Sequence, residues 1–325
     1  MSDYRLIVRA FGGPELIEAE PITAGPLAPG QARVRHSAVG VNFIDTYHRT
    51  GLYSQPLPAG LGVEAAGVVE ALGEGVTGLS VGQRVGYAVA MTGAYASWRD
   101  ISAERLVPLP DAVSDEIAAA VLLKGMTAHA LMFGCARIEP GQSALVHAAA
   151  GGVGRLLVQW LAAIGVDVIA HSGSPEKAAI ATGLGAQLSL VCPQEELAKA
   201  VRDATGGRGV DVSFDGVGAA SFSASLDALA PRGHLVSYGN ASGPVPPFTP
   251  LELASRGSLS LTRPRLFDYI ATRPELEATA AALFAMIAAG KLDVEIGLRL
   301  PLRDAAEAHR ALEGRRTTGS IILTP

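Results

Sequence analysis

The stretch Ala144-Leu145-Val146-His147-Ala148-Ala149-Ala150-Gly151-Gly152-Val153-Gly154 decides the fold of this chain. An apolar run of strand character enters a turn of small residues. The turn opens onto a helix that carries Leu156, Leu157, Trp160, Leu161 and Ile164 on one face. Glycines at such a junction permit a tight turn and close backbone approach, and the helix N-terminus aims its N–H groups at an anion. The working pattern is Ala149-x-x-Gly152-x-Gly154, with alanine at the first glycine of the usual G-x-G-x-x-G. Three glycines alone are weak evidence. With a strand before and a helix after, the residues Ala149, Gly151, Gly152, Val153 and Gly154 read as a dinucleotide-binding turn.

Working outward, strand patterns at residues 166–170, 210–214 and 234–238 alternate with helical patterns at 155–164, 176–184 and 219–229. Such alternation implies right-handed crossovers onto a parallel, doubly wound α/β sheet. Before about residue 115 the texture differs. Short strand candidates at 32–36, 63–72 and 83–89 are punctuated by Gly73, Gly75, Gly78 and Gly82, which suggests a small barrel-like β domain. Ser114 is placed to cap a helix over 117–122, and 127–133 reads as helical again. After Pro264 a helix at 275–289 and strands ending in Ile321-Ile322-Leu323 rejoin the first domain. The expected division is 1–115 with 265–325 as one domain and 116–264 as the inserted nucleotide-binding domain.

The 325 residues are 49% hydrophobic and 18% charged, enough apolar material for two cores. A net charge of −5 with scattered basic residues gives no drive toward nucleic acid or anionic membranes, and Arg315-Arg316, the densest basic pair, reads as solvated surface. Cys135 and Cys192 are the only cysteines, too few for a disulfide framework or a four-thiolate zinc site. Asp3, Arg5 and Arg9 argue against a signal peptide. The apolar run 117–123 stops at Lys124, short of the roughly 18 residues that span a bilayer. A cytoplasmic protein without nucleic-acid or membrane partners is expected.

An NAD site places an acid at the end of the second strand, on the ribose 2′-hydroxyl. Here that strand ends in Ala170-His171-Ser172-Gly173, and the nearest acid, Asp167, stands at its start. Ser172 offers a hydroxyl and Lys177 a cation, both suited to a 2′-phosphate, so NADPH is favoured. The competing reading of Lys177 is a solvated residue of the first helical turn.

Gly40-Val41-Asn42-Phe43-Ile44-Asp45-Thr46-Tyr47, Gly51-Leu52-Tyr53, His147 to Gly154 and Gly239-Asn240-Ala241-Ser242-Gly243 together resemble the NADPH:quinone oxidoreductases. These are the zeta-crystallin-like members of the medium-chain dehydrogenase/reductase superfamily, and the resemblance runs end to end. It implies a GroES-like catalytic domain, an inserted Rossmann domain and a homodimer. Zinc-dependent relatives have a cysteine where this chain has Asn42, and Gly-His-Glu where it has Gly62-Val63-Glu64. Two metal ligands are thus missing and a zinc-free reaction is expected.

The resemblance also implies that Asn42, Asp45, Tyr47 and Tyr53 lie near the nicotinamide and substrate. Asn240 and Ser242 would approach from the Rossmann side, while Gly173 and Lys177 would meet the 2′-phosphate. Cys192 departs from the family, which places a tyrosine there. Each residue has a plainer reading: Asn42 in a turn, Asp45 capping a short helix, Tyr47 and Tyr53 in amphipathic packing, His147 as a satisfied core histidine, and Glu64 as a paired carboxylate. The expected reaction is hydride transfer to a quinone, with Tyr47 or Asn42 donating to the acceptor oxygen. Alternatives are reduction of the C=C bond of enones or enoyl thioesters, and a non-catalytic NADPH-binding or RNA-binding role.

Overall fold

A computed structural model describes residues 3–314 and 317–325. The Arg315-Arg316 pair lies outside the described residues. The chain divides into two units: Met1–Lys124 with Ile270–Ala288 and Val294–Pro325, and Gly125–Tyr269 with Ala289–Asp293.

The second unit is built on a six-stranded parallel sheet. Its order across the sheet is Leu188–Leu190, Asp167–His171, Ser143–His147, Val210–Asp215, Leu229–Ser237 and Ser260–Thr262. Counted along the chain this is 3-2-1-4-5-6, the doubly wound arrangement, with its switch point between Ser143–His147 and Val210–Asp215. Ala144, Leu145, Val146 and His147 are all buried, because helices cover both faces of a central parallel strand. Leu145, Ile169, Leu197, Val201, Phe222, Leu226 and Leu235 form one core.

The expected helix at 219–229 is shorter, Phe222–Asp227. Ala219 N–H is spent on the Gly243 carbonyl, and Leu229 already opens the next strand by pairing with Val210. The short strand Leu188–Leu190 and the helix Gln194–Ala204 had no place in the sequence reading.

In the first unit a seven-stranded sheet runs Ile296–Pro301, Ser320–Thr324, Gln31–Val41, Glu64–Leu72, Arg84–Ala88 and Val107–Pro108, with Trp98–Ser102 also pairing to Gln31–Val41. Tyr4–Val8, Glu18–Pro21 and Ala59–Gly60 form a small second sheet. Strand Gln31–Val41 departs from simple alternation at Arg33. Its guanidinium is buried 4.4 Å from the Trp98 ring centroid and pairs with Asp100 at 2.7 Å.

Helical structure runs unbroken through Asp115–His129 and a π-helical stretch, Ala130–Ala136, in place of two separate helices. Its first part belongs to the first unit, so the expected junction after residue 115 falls after Lys124. Hydrogen bonds explain the shift: Ser320 Oγ donates to the Ala120 carbonyl at 2.8 Å and Leu123 N–H to Glu64 Oε1 at 2.6 Å. The junction expected after 264 falls after Tyr269, whose ring packs so closely on Gly134 that an added Cβ would lie 2.7 Å away.

Asp115–Ala136 spans 22 residues with a window of mean hydropathy 1.5, long and apolar enough to cross a membrane, contrary to the reading of the run 117–123. Yet 67% of that window is buried inside the protein, as in a core helix. Lys124 does not end the helix because its charge is met internally by Glu64, at 3.6 Å.

Candidate active site

In the second unit the glycine-rich turn sits at the carboxyl end of the first strand. Ala148 takes a left-handed φ of 49°, and its carbonyl accepts Gly151 N–H at 2.8 Å. Gly154 has no room for a side chain, since a Cβ would lie 2.3 Å from the Ala148 oxygen. Ala149 is buried beneath the turn and donates its N–H to the His171 carbonyl at 3.2 Å. Gly151, Gly152 and Val153 are half-buried above it. Among the described residues no side chain caps the helix Gly152–Ala163, which begins after Gly151 with no acid in its first turn, as an anion-binding helix start requires.

At the end of the second strand Ser172 is 3% exposed and its Oγ has no hydrogen-bond partner among the described residues. Gly173 beside it opens on empty space, and Ser174 caps the helix Pro175–Gly183 by accepting Lys177 N–H at 3.4 Å. Lys177 is half-buried in that first turn. Asp167 is engaged at the opposite end of the strand by Gln187. An orphaned buried hydroxyl, an open glycine and a helix N-terminus suit a phosphate; the acid of that first turn, Glu176, is exposed and engaged by Ser174. The Cys192 carbonyl accepts from His171 Nε2 at 3.0 Å, and burial, with Glu196 and Glu195, raises the thiol above its usual range.

Ser242 and Asn240 lie on the loop after the fifth strand. Ser242 Oγ donates to the Val217 carbonyl at 2.8 Å and accepts Ala220 N–H at 3.0 Å, so its hydroxyl braces two loops together. Asn240 is half-buried and its carbonyl accepts Gly243 N–H at 2.9 Å. Sequence reasoning missed the anchor beneath these loops. Asp215 accepts from Val217 N–H, Gly218 N–H, Ser221 Oγ and Ser225 Oγ at 2.7–3.2 Å. Burial works to raise its pKa, but His147 and these donors outweigh burial and hold it low. His147 Nε2 meets Ser225 Oγ at 2.9 Å and burial pushes the ring down to about 4, while its buried Nδ1 has no hydrogen-bond partner among the described residues, so the satisfied core histidine expected is satisfied on one side only. The available signal was an aspartate ending a strand just before Gly216-Val217-Gly218.

In the first unit, Asn42, Asp45, Tyr47 and Tyr53 come together around the helix Phe43–Thr50. Asn42 precedes it, and Asp45 reaches back to accept Asn42 N–H at 2.8 Å, which is the capping role weighed above. Asp45 Oδ2 also accepts from Tyr95 Oη at 3.1 Å, and that hydroxyl contacts His309 Nε2 at 3.1 Å. Burial raises the Asp45 carboxyl to about 7. Asn42 Nδ2 donates to the buried Glu64 at 2.8 Å. Tyr47 is 9% exposed, and the rim residue Tyr53 stands edge-on to it. Among the described residues no three His, Cys, Asp or Glu side chains assemble as a metal-ligand group.

Two family models match this chain: an alcohol dehydrogenase GroES-like domain over residues 28–111 and a zinc-binding dehydrogenase domain over 184–323. A quinone oxidoreductase of Pseudomonas aeruginosa is 46% identical over 99% of both chains. A 2-haloacrylate reductase from a Burkholderia species is 42% identical over 98% of both. The solved Escherichia coli quinone oxidoreductase in complex with NADPH superposes with a TM-score of 0.96 at 43% identity, covering 99% of this chain and 100% of that one. With the 3-2-1-4-5-6 sheet, the GroES-like first unit and full-length identity on the page, this chain belongs to the quinone oxidoreductase family of the medium-chain dehydrogenase/reductase superfamily.

Proposed function

We propose that this protein reduces quinones to hydroquinones with NADPH, consuming one proton per turnover and using no zinc. The observation that carries the reading is the second-strand end. A buried, unpartnered Ser172 hydroxyl and open Gly173 stand beside Lys177 where an NAD enzyme would place an acid. NADPH, when bound, supplies the hydride.

The chain's part is to bind, orient and move a proton. N–H groups of Gly152, Val153 and Gly154 would hold the pyrophosphate over the turn shaped by Ala149 and Gly151. Ser172, Gly173 and Lys177 would hold the 2′-phosphate. Asn240 would serve the nicotinamide side from a loop that Ser242 keeps in place. Negative charge grows on the acceptor oxygen as reduction proceeds. The Tyr47 hydroxyl stabilises it and passes a proton, with Tyr53 supporting the Tyr47 ring. Asn42 and Asp45 position the helix that carries Tyr47.

The kinship with a 2-haloacrylate reductase supports a second reading, reduction of a C=C bond conjugated to a carbonyl or carboxylate. The same hydride and the same Tyr47 proton would serve it. A steady-state panel of quinones, enones and 2-haloacrylates, each with NADPH and NADH, separates the two; faster turnover of alkenes than of quinones would replace the first reading by the second. We place the protein in the cytoplasm and assign it as a homodimer. The strand Ser260–Thr262 ends the six-stranded sheet and leaves an edge for a second copy.

A further inference from the structure

In a doubly wound sheet the ligand crevice opens at the switch point, between two strand ends. Backbone pairing between Ser143–His147 and Val210–Asp215 runs from Val212 opposite Ala144 to Phe214 opposite Val146 and stops there. The next two residues pair away from each other, His147 with His171 and Asp215 with Ser237. A side-chain bridge spans the gap that the backbone leaves. His147 Nε2 meets Ser225 Oγ at 2.9 Å, and Ser225 Oγ donates to Asp215 Oδ2 at 2.7 Å. Ser225 comes from the helix Phe222–Asp227, and all three side chains are completely buried.

The protons of this bridge have one arrangement. Burial works to raise the Asp215 carboxyl, yet His147, Ser221, Ser225 and Val217 hold it below its usual range, so it is a carboxylate and only accepts. The single Ser225 hydroxyl proton goes to Asp215, and the Ser225 oxygen accepts from His147 Nε2–H. The imidazole, kept neutral by burial, thus carries its proton on Nε2 and leaves Nδ1 bare.

The same carboxylate has a second arm. Its Oδ1 accepts Val217 N–H at 2.8 Å and Gly218 N–H at 3.2 Å. The Val217 carbonyl accepts Ser242 N–H at 2.8 Å, and the Gly243 carbonyl accepts Ala219 N–H at 3.1 Å. A Cβ on Gly218 would lie 2.5 Å from that Gly243 oxygen and 3.1 Å from Asn240 Cα, so the two loops are in direct contact.

We propose that Asp215 is a positioning residue of the cofactor site, one carboxylate that fixes both sides of the switch point. Through Ser225 and His147 it holds the strand that enters the dinucleotide turn. Through Val217 and Gly218 it holds the loop on which the Asn240 loop rests. This role deepens the NADPH reading above and rests on it. His147 directly precedes Ala148, where the turn begins, so a strand end that shifts carries the turn with it. A shift of about 1 Å is enough to lose a hydrogen bond to a bound phosphate.

Ser225→Ala cuts the first arm and leaves Val217, Gly218 and Ser221 on the carboxylate. NADPH should bind about fivefold or more weakly by fluorescence titration, and KM should rise with it, while kcat at saturating NADPH falls less. Asp215→Asn keeps the bridge but reverses it. The amide oxygen retains the loop N–H groups, the NH2 donates to Ser225 Oγ, and the Ser225 proton turns to His147 Nε2. Asp215→Asn should therefore lose less NADPH affinity than Ser225→Ala. His147 must then move its proton to Nδ1, which 15N spectra of histidine-labelled protein read directly, with His147 assigned by its loss in His147→Gln. A purely structural role would lower Tm and leave the affinity of the folded protein untouched.

Ser225→Ala that binds NADPH within about twofold of wild type would overturn the proposal. So would an Asp215→Asn variant that loses as much affinity as Ser225→Ala, or a His147 tautomer that is the same in wild type and Asp215→Asn. Wild type that binds no NADPH would defeat the functional reading instead, and the same variants titrated with NADH would still decide the positioning.

Discussion

The ring of Tyr53 stands edge-on to that of Tyr47, with centroids 5.2 Å apart and planes at 70°. Tyr47 also meets Phe43, with centroids 6.4 Å apart, so its ring has two aromatic neighbours and its packing does not depend on its hydroxyl alone. Removing only the oxygen, Tyr47→Phe, should therefore leave the fold intact. We expect kcat to fall by roughly tenfold or more with cofactor affinity unchanged, as for loss of one oxyanion donor or proton relay. Unchanged kcat with several acceptors would make Tyr47 a packing residue.

Cofactor preference rests on Lys177 and the missing acid. Lys177→Ala should weaken use of NADPH by about tenfold in kcat/KM, on the order of the 1.4 kcal/mol of a partly exposed charge contact, and leave NADH nearly unchanged. Equal losses with both cofactors would place the 2′-phosphate elsewhere.

Purified protein should contain no stoichiometric zinc. The family resemblance implies that Asn42 and Val63 stand at two ligand positions of the zinc-dependent relatives, and Lys124 Nζ lies 3.6 Å from Glu64, where its charge would repel a divalent cation. One zinc per chain by metal analysis, with activity lost to chelators, would defeat this expectation.

Asp45 ties stability to pH. Its folded-state pKa of about 7 lies above the ordinary carboxylate value, so the folded protein binds the proton that the unfolded chain has released. Stability from this group is therefore present at low pH and lost as pH rises toward 7. Asp45→Asn keeps an acceptor for Asn42 N–H and removes the titration. The variant should come closest to wild type near pH 4, at about the ordinary value of 3.8, and exceed it by a margin that grows up to about pH 7, reaching about 2 °C or more in Tm near pH 8. A Tm difference that does not grow with pH would show Asp45 to be charged throughout.

Light scattering at micromolar concentration should give twice the chain mass, and Leu261→Pro, which breaks the three-residue edge strand Ser260–Thr262, should shift it toward the monomer. A wild-type monomer would reject the edge-strand assembly.

The second unit was legible because its signals are local. The run Ala144 to His147, the small-residue turn and the apolar face of the following helix all fall within a score of residues, and the parallel alternation repeats them. What stayed illegible joins residues far apart in the chain. Asn42 and Glu64 are separated by 22 positions and Glu64 and Leu123 by 59, so no periodicity links them. Glu64 was expected to be paired, but its partners were not nameable. Ser242 was assigned to the cofactor through family likeness, while its hydroxyl is spent on Val217 and Ala220. The junctions moved because Leu123, Ala120 and Tyr269 choose their sides by tertiary contacts that composition does not encode.

Strand Ser320–Thr324 lies between Ile296–Pro301 and Gln31–Val41, in the interior of the seven-stranded sheet. During synthesis from the amino end, Val39, Gly40 and Val41 must wait for Leu323, Ile322 and Ile321 to leave the ribosome before that edge of their strand is satisfied. The parallel sheet of the second unit has every strand in hand once Thr262 has emerged. Domains generally fold as units as the chain appears. The strands of the nucleotide-binding unit are thus complete first, and the nascent chain holds an open sheet edge beside Asn42 until Ile321, Ile322 and Leu323 have emerged.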